Sequence, residues 1–194
     1  MPKNQNADLP YNSDQISEPE KGKIIDELMN LHSRKVYLLA YSYVKDMGLA
    51  EDIAQEVFIK CYKSLHHFRG DAQITSWIYR ITVNTAKDFL RSKSFNIFKY
   101  PKSFFENITK SETAEDAVLQ QDEREAVLQT VLSLTTKYRE VIILFYFQEE
   151  KIEDIAEILN MNLNTVKTRL SRARSIMKEK ITSFTGDELI EKRS

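Results

Sequence analysis

The chain has 194 residues, 28 basic and 29 acidic side chains, and one cysteine. That size suits one mid-sized domain or two small ones, the single thiol excludes an intrachain disulfide, and three histidines, at 32, 66 and 67, form no zinc cluster of usual spacing. No apolar run reaches membrane-spanning length and the N-terminus is polar, so no membrane insertion and a cytoplasmic location are expected.

Glycine and proline number four each, and three of the prolines (Pro2, Pro10, Pro19) fall in the first nineteen residues. The long stretches without either residue favour an all-α fold. Residues 1–22 read as a disordered tail. From Lys23, apolar residues Ile25, Leu28, Val36, Leu39 and Tyr43 recur at helical spacing, with room for a break around "LHSRK" and for an end at Gly48. A second helix, "AEDIAQEVFIKCYKSL", has an inward stripe of Ile53, Val57 and Cys61 with Ala54, Phe58 and Leu65. "HHFRGDAQITSW" reads as a loop, with Asp71 or Thr75 as a cap for the third helix. That helix, "SWIYRITVNTAKDFLRSK", draws its core from Trp77, Ile78, Ile81, Thr85 and Leu90. Residues 23–94 then make one helical domain.

Residues 95–117 lose the helical period and read as a flexible linker. A second domain spans 118–184, with Val118, Val127, Leu128, Val131 and Leu132 as core, followed by a tail over 185–194. Its last segment reads as helix, turn, helix. "IEDIAEIL" is a short helix and "NMNL" a turn in which Asn160 tolerates a left-handed backbone; Asn164 and Thr165 then give the next helix a polar start. Ala156 is small where the two helices meet, and Ile155, Leu159, Met161, Val166, Leu170, Ala173 and Met177 form one shared core. This is the packing logic of a helix-turn-helix, whose second helix enters the major groove. Charge supports it. Residues 160–183 hold six cations against the single acid Glu179, whereas 139–159 hold six acids against two cations. Lys167, Thr168, Ser171, Arg172 and Ser175 are placed for base edges, and Thr165, Arg169 and Arg174 for phosphates. A plain basic helix in a bundle would explain the charge but not the turn and Ala156.

Catalytic readings find little. His66 and His67 near Asp71 lack a nucleophile or metal cluster beside them, so neither enzyme activity nor a cofactor is expected. Cys61 lies on an apolar stripe as a packing residue. The acids Glu149, Glu150, Glu153, Asp154 and Glu157 read as a solvated face.

"AEDIAQEVFIKCYKSLHHFRGDAQITSWIYRITVNTAKDFLR" followed by "LSLTTKYREVIILFYFQEEKIEDIAEILNMNLNTVKTRLSRAR" resembles the extracytoplasmic-function sigma factors of bacterial RNA polymerase. The resemblance covers about residues 25–183. It implies a sigma factor that binds core RNA polymerase and directs promoter-specific initiation, in a stress or envelope response. Asp52, Gln55 and Glu56 would meet the clamp helices of the large polymerase subunit, and the flap of the second large subunit is implied as a further contact. His67, Phe68, Arg69 and Asp71 would capture a flipped base of the minus-ten element; Trp77, Arg80, Asn84 and Lys87 would open and read that element. Thr165, Lys167, Thr168, Arg169, Ser171, Arg172 and Arg174 would hold the minus-thirty-five element. The linker would thread towards the RNA exit path, and an anti-sigma factor is implied as a further partner besides promoter DNA. Asn160 stands where the family often has Gly, Asn162 where Pro is frequent, and "DAQI" affects which base the loop prefers. The alternative is a stand-alone helix-turn-helix regulator, which would bind its operator without polymerase.

Overall fold

The computed structural model describes residues 17–68, 73–92 and 127–191, with side chains described as far as Ile181. Among the described residues all regular structure is helical.

Helix α1 spans Glu18–Val44. It starts five residues before Lys23 because Ser17 and Glu20 form a capping box. The Ser17 backbone N–H donates to Glu20 Oε2 at 2.9 Å and its hydroxyl donates to the same oxygen at 2.6 Å. Pro19 is harmless in the first turn, where its missing N–H has no partner to lose. The tail therefore yields residues 18–22 to the helix. "LHSRK" does not interrupt it. Lys45, not Gly48, ends it, in the left-handed region (φ 55°), with its N–H on Tyr41 O at 2.8 Å. Asp46 then caps α2, Met47–Ser64, its Oδ1 accepting from Leu49 N at 2.8 Å. A single 3-10 turn, Leu65–His67, follows.

Helix α3 spans Ile74–Arg91 with Gln73 at its N-cap position. Thr75 is thus inside the helix, and Asp71 lies outside the described residues. The three helices pack on one another. Ile53, Val57, Cys61 and Leu65 are buried as the stripe required, while Ala54 is only partly covered. On α3 the sequence expectation is half met: Ile78 and Thr85 are buried, Trp77 and Ile81 are half-buried, and Leu90 is exposed. Tyr79, Val83 and Ala86 take the remaining core places, because α3 is covered on two sides rather than one.

Val118 and the linker fall outside the described residues. Residues 127–133 are helical (α4), with Val131 buried, Leu128 and Leu132 half-buried and Val127 exposed. Helix α5, Thr136–Ile142, runs on into a wider π turn, Ile143–Phe147. Helices α6, Ile152–Leu159, and α7, Leu163–Glu191, complete the unit. Because α7 continues through Glu191, most of the expected tail over 185–194 is helical.

The two units share a single apolar core. Helix α6 packs on α3, and α5 with its π turn packs on α1. Buried polar bonds stitch this junction. Arg139, 3% exposed, donates from Nε to Ser42 O of α1. Its Nη1 donates to Leu132 O (2.9 Å) and Leu134 O (2.8 Å). Gln148 Nε2 donates to Lys35 O at 3.1 Å, and Tyr43 OH donates to Glu140 Oε2 at 2.6 Å.

Candidate nucleic-acid interface

The turn between α6 and α7 is built by two asparagines. Asn160 adopts φ 50° and ψ 56°. Its N–H donates to Glu157 O (3.2 Å), and the Met161 N–H donates to Ala156 O (2.8 Å). This is the Schellman arrangement, with a left-handed residue closing the helix. Asn is tolerated there because its short polar side chain lowers the cost of positive φ. Asn162, rather than Asn164 or Thr165, opens α7. Its Oδ1 accepts from Asn164 N at 2.8 Å, and its carbonyl accepts from Thr165 N (2.9 Å) and Val166 N (3.2 Å). Ile155, Leu159, Val166, Leu170 and Ala173 are buried together, with Ala156, Met161 and Met177 packed against them, as the helix-turn-helix requires.

Thr165, Lys167, Thr168, Ser171, Arg172 and Ser175 are exposed along the outer side of α7. Thr168 Oγ1 donates to Asn164 O (2.8 Å) and Ser175 Oγ to Ser171 O (3.3 Å), which leaves these hydroxyls facing outward as acceptors. The two arginines nominated for phosphate are placed differently. Arg169 turns inward, with Nη1 2.7 Å from Glu140 Oε1. Arg174 donates from Nε to Tyr146 OH at 2.8 Å and stacks over Phe145 and Tyr146.

In the N-terminal unit, Asp52 and Gln55 are exposed on α2, and Glu56 lies 4.0 Å from Lys60 Nζ. Ile59, 47% exposed, extends the same face one turn further. Sequence reasoning passed over it, although its spacing of seven from Asp52 and four from Gln55 marks that face. Burial pushes the Cys61 thiol up to about 12, in keeping with an inert packing residue. His67 is exposed, and Phe68 packs its ring on Trp77 at 5.3 Å. Arg69 and Asp71 lie outside the described residues. Tyr79 is fully buried and offers no stacking surface.

Arg80, Asn84 and Lys87 lie on one side of α3, spaced four and three apart. Asn84 is exposed, but both cations meet carboxylates of the C-terminal unit. Arg80 pairs with Glu157 of α6, and Lys87 Nζ is 3.5 Å from Glu140 Oε2. Glu140, 4% exposed, therefore serves Tyr43, Lys87 and Arg169 at once. Its neighbourhood and burial hold the Tyr43 hydroxyl well above the ordinary phenol range, burial being the larger cause. On the acidic face Glu149, Glu153 and Glu157 are exposed as expected, while Glu150 and Asp154 are half-buried. Burial, followed by repulsion from Asp154 and opposed by Lys35, pushes Glu150 up to about 7.

Comparison with known proteins agrees with this arrangement. The family described as Sigma-70 region 2 matches residues 28–95, and that described as Sigma-70, region 4 matches residues 124–177. The RNA polymerase sigma factor SigV of Bacillus subtilis is 40% identical over 151 residues, covering 78% of this chain and 87% of its own. The ECF RNA polymerase sigma factor SigW of the same organism is 31% identical over 163 residues, covering 80% and 87%. Among solved structures, the sigma factor RpoE of Bartonella quintana, determined with the anti-sigma factor NepR, shares the fold at a TM-score of 0.61. That match has 23% identity and covers 82% of this chain and 98% of that one. Two family matches in this order do not favour a stand-alone helix-turn-helix regulator. The chain belongs to the extracytoplasmic-function sigma factors of bacterial RNA polymerase, the subunits that direct the core enzyme to promoters.

Proposed function

We propose that the chain divides this work between its two units and performs no chemistry of its own, acting in the bacterial cytoplasm. The observation that carries the division is the exposed row Thr165, Lys167, Thr168, Ser171 and Arg172 on a helix whose opposite side is locked into a helix-turn-helix core. That row reads the upstream promoter element. Arg169 and Arg174 supplement it through the phosphate backbone once they exchange their internal partners for DNA. His67, Phe68, Arg69, Asp71, Trp77, Arg80, Asn84 and Lys87 hold the melted downstream element, where captured bases and phosphate contacts offset the unstacking cost. Arg172→Ala is expected to weaken upstream recognition by about 1–3 kcal/mol and relax the preference at one base position. Quantitative footprinting with holoenzyme reads this, alongside core affinity, which should not change.

Asp52, Gln55 and Glu56, with Ile59 beside them, form the face for the clamp helices of the large subunit. Replacing Asp52 and Glu56 together by Ala is expected to lower core affinity by up to about thirtyfold, since each rim charge is worth at most about 1 kcal/mol. Thermal stability should hold, as Asp52 is exposed and Glu56 is 40% exposed at its side chain. Calorimetric titration with core enzyme checks it; an affinity equal to that of the unmodified chain would remove this face from the account.

A groove of about 550 Å³ in the C-terminal unit is lined by Val131, Ile142, Tyr146, Phe147 and Met177 among others. Its apolar floor and exposed aromatic rim suit the flap of the second large subunit. An anti-sigma factor is the remaining partner expected, in keeping with the complex solved for the Bartonella relative.

A further inference from the structure

Three cations assigned to nucleic acid already have carboxylate partners, and both carboxylates sit on the C-terminal unit. Arg80 pairs with Glu157, while Lys87 and Arg169 share Glu140. A carboxylate and a phosphodiester offer a guanidinium or ammonium the same thing: one delocalised negative charge with two acceptor oxygens. Arg80 and Lys87 are seven residues apart on one side of α3, so Glu157 and Glu140 meet that helix about two turns apart, in the places that backbone phosphates would take. The junction that holds them is not a loose encounter. Arg139 to Ser42 O, Gln148 to Lys35 O and Tyr43 to Glu140 bind α5 and its following turns to α1, and α6 lies directly on α3.

We propose that this closed arrangement is an internal competitor of promoter DNA, in which Glu157 and Glu140 act as phosphate surrogates on α3. It rests on the assignment of α3 as the face that holds melted DNA. The chain then engages a DNA strand fully only after α5 and α6 have moved off α3. The two surrogates differ in how readily they yield. The Glu157 side chain is half exposed, so solvent and salt screen its pair with Arg80 and an arriving phosphate displaces it first. Glu140 is buried under three donors and departs only when the junction opens. The device also accounts for a DNA-binding chain with an almost neutral charge balance: part of its basic surface is neutralised from within.

The test uses the full chain and a fluorescent, mixed-sequence single-stranded oligonucleotide, with affinity read by anisotropy at low salt. Glu157→Gln is expected to tighten binding roughly two- to five-fold, the worth of an exposed ion pair. Glu27→Gln removes the same charge from an exposed position on α1 and should have a much smaller effect. In an Arg80→Gln background the gain from Glu157→Gln should disappear, because the two residues act as one pair. Equal gains from Glu157→Gln and Glu27→Gln, or a gain that survives Arg80→Gln, would overturn the proposal. Transcription with core polymerase separates this from the assignment beneath it. If the unmodified chain supports initiation while Glu157→Gln brings no gain, the surrogate role fails and the sigma function stands.

Discussion

Arg139→Ala is expected to destabilise the protein by about 3–5 kcal/mol, because it removes a buried guanidinium and leaves the backbone carbonyls it serves without a donor. The guanidinium is buried at the junction of the two units. It donates to the carbonyls of Ser42, Leu132 and Leu134 and lies 3.3 Å from Thr136 Oγ1. Each carbonyl left unpaired costs about 1–3 kcal/mol. Lysine should rescue little, since an ammonium cannot reproduce the planar fork that meets acceptors on three segments at once. The Ser42 bond crosses between the units, so the loss should also loosen the junction. Urea unfolding followed by tryptophan fluorescence and by circular dichroism reads both effects. Trp77 is the only tryptophan and sits in the N-terminal unit, so separation of the two transitions would report uncoupling. A destabilisation below about 1 kcal/mol would contradict this account of Arg139.

Leu170→Ala is the second large effect, expected at about 2–5 kcal/mol. Leu170 is 2% exposed and lies between Val166 and Ala173 on the inward side of α7, in the core shared with Ile155 and Leu159. A cavity there removes the support that fixes α7 against α6. Upstream promoter recognition should be lost together with stability, which distinguishes it from Arg172→Ala, where recognition falls while the melting temperature holds. Differential scanning calorimetry beside footprinting separates the two; a Leu170→Ala protein of unchanged melting temperature would refute the packing described for the helix-turn-helix.

The parts legible from sequence were those whose causes are local. The stripe Ile53, Val57, Cys61 repeats every four residues, and only helix geometry gives that spacing a use. Asn160 after an amphipathic octet announced the left-handed stop that the backbone adopts. The capping box at Ser17 and Glu20 was equally local, but Pro19 drew attention as a breaker when its place in a first turn made it neutral. What stayed hidden depends on partners far along the chain. Arg139 and Glu140 entered only as members of a local charge balance, because their acceptors and donors come from residues up to 97 positions away. The inward turn of Arg169 has the same cause, since Glu140 lies 29 residues earlier. How deeply each α3 aromatic sits was hidden too: Tyr79 is fully buried and Trp77 only half-buried on a helix packed by α1, α2 and α6. Ile59 was hidden for the opposite reason: an exposed apolar residue on a charged face carries meaning only when the face is a binding surface.

The whole account turns on whether this chain converts a core polymerase that starts without direction into one that starts at promoters. The direct measurement is transcription of genomic DNA from the source organism by purified bacterial core polymerase, with and without the protein, with transcript 5′ ends mapped. The account predicts discrete start sites that appear only when the protein is present, each preceded by two conserved elements at fixed spacing. Start sites that are identical with and without it on every template would contradict the account.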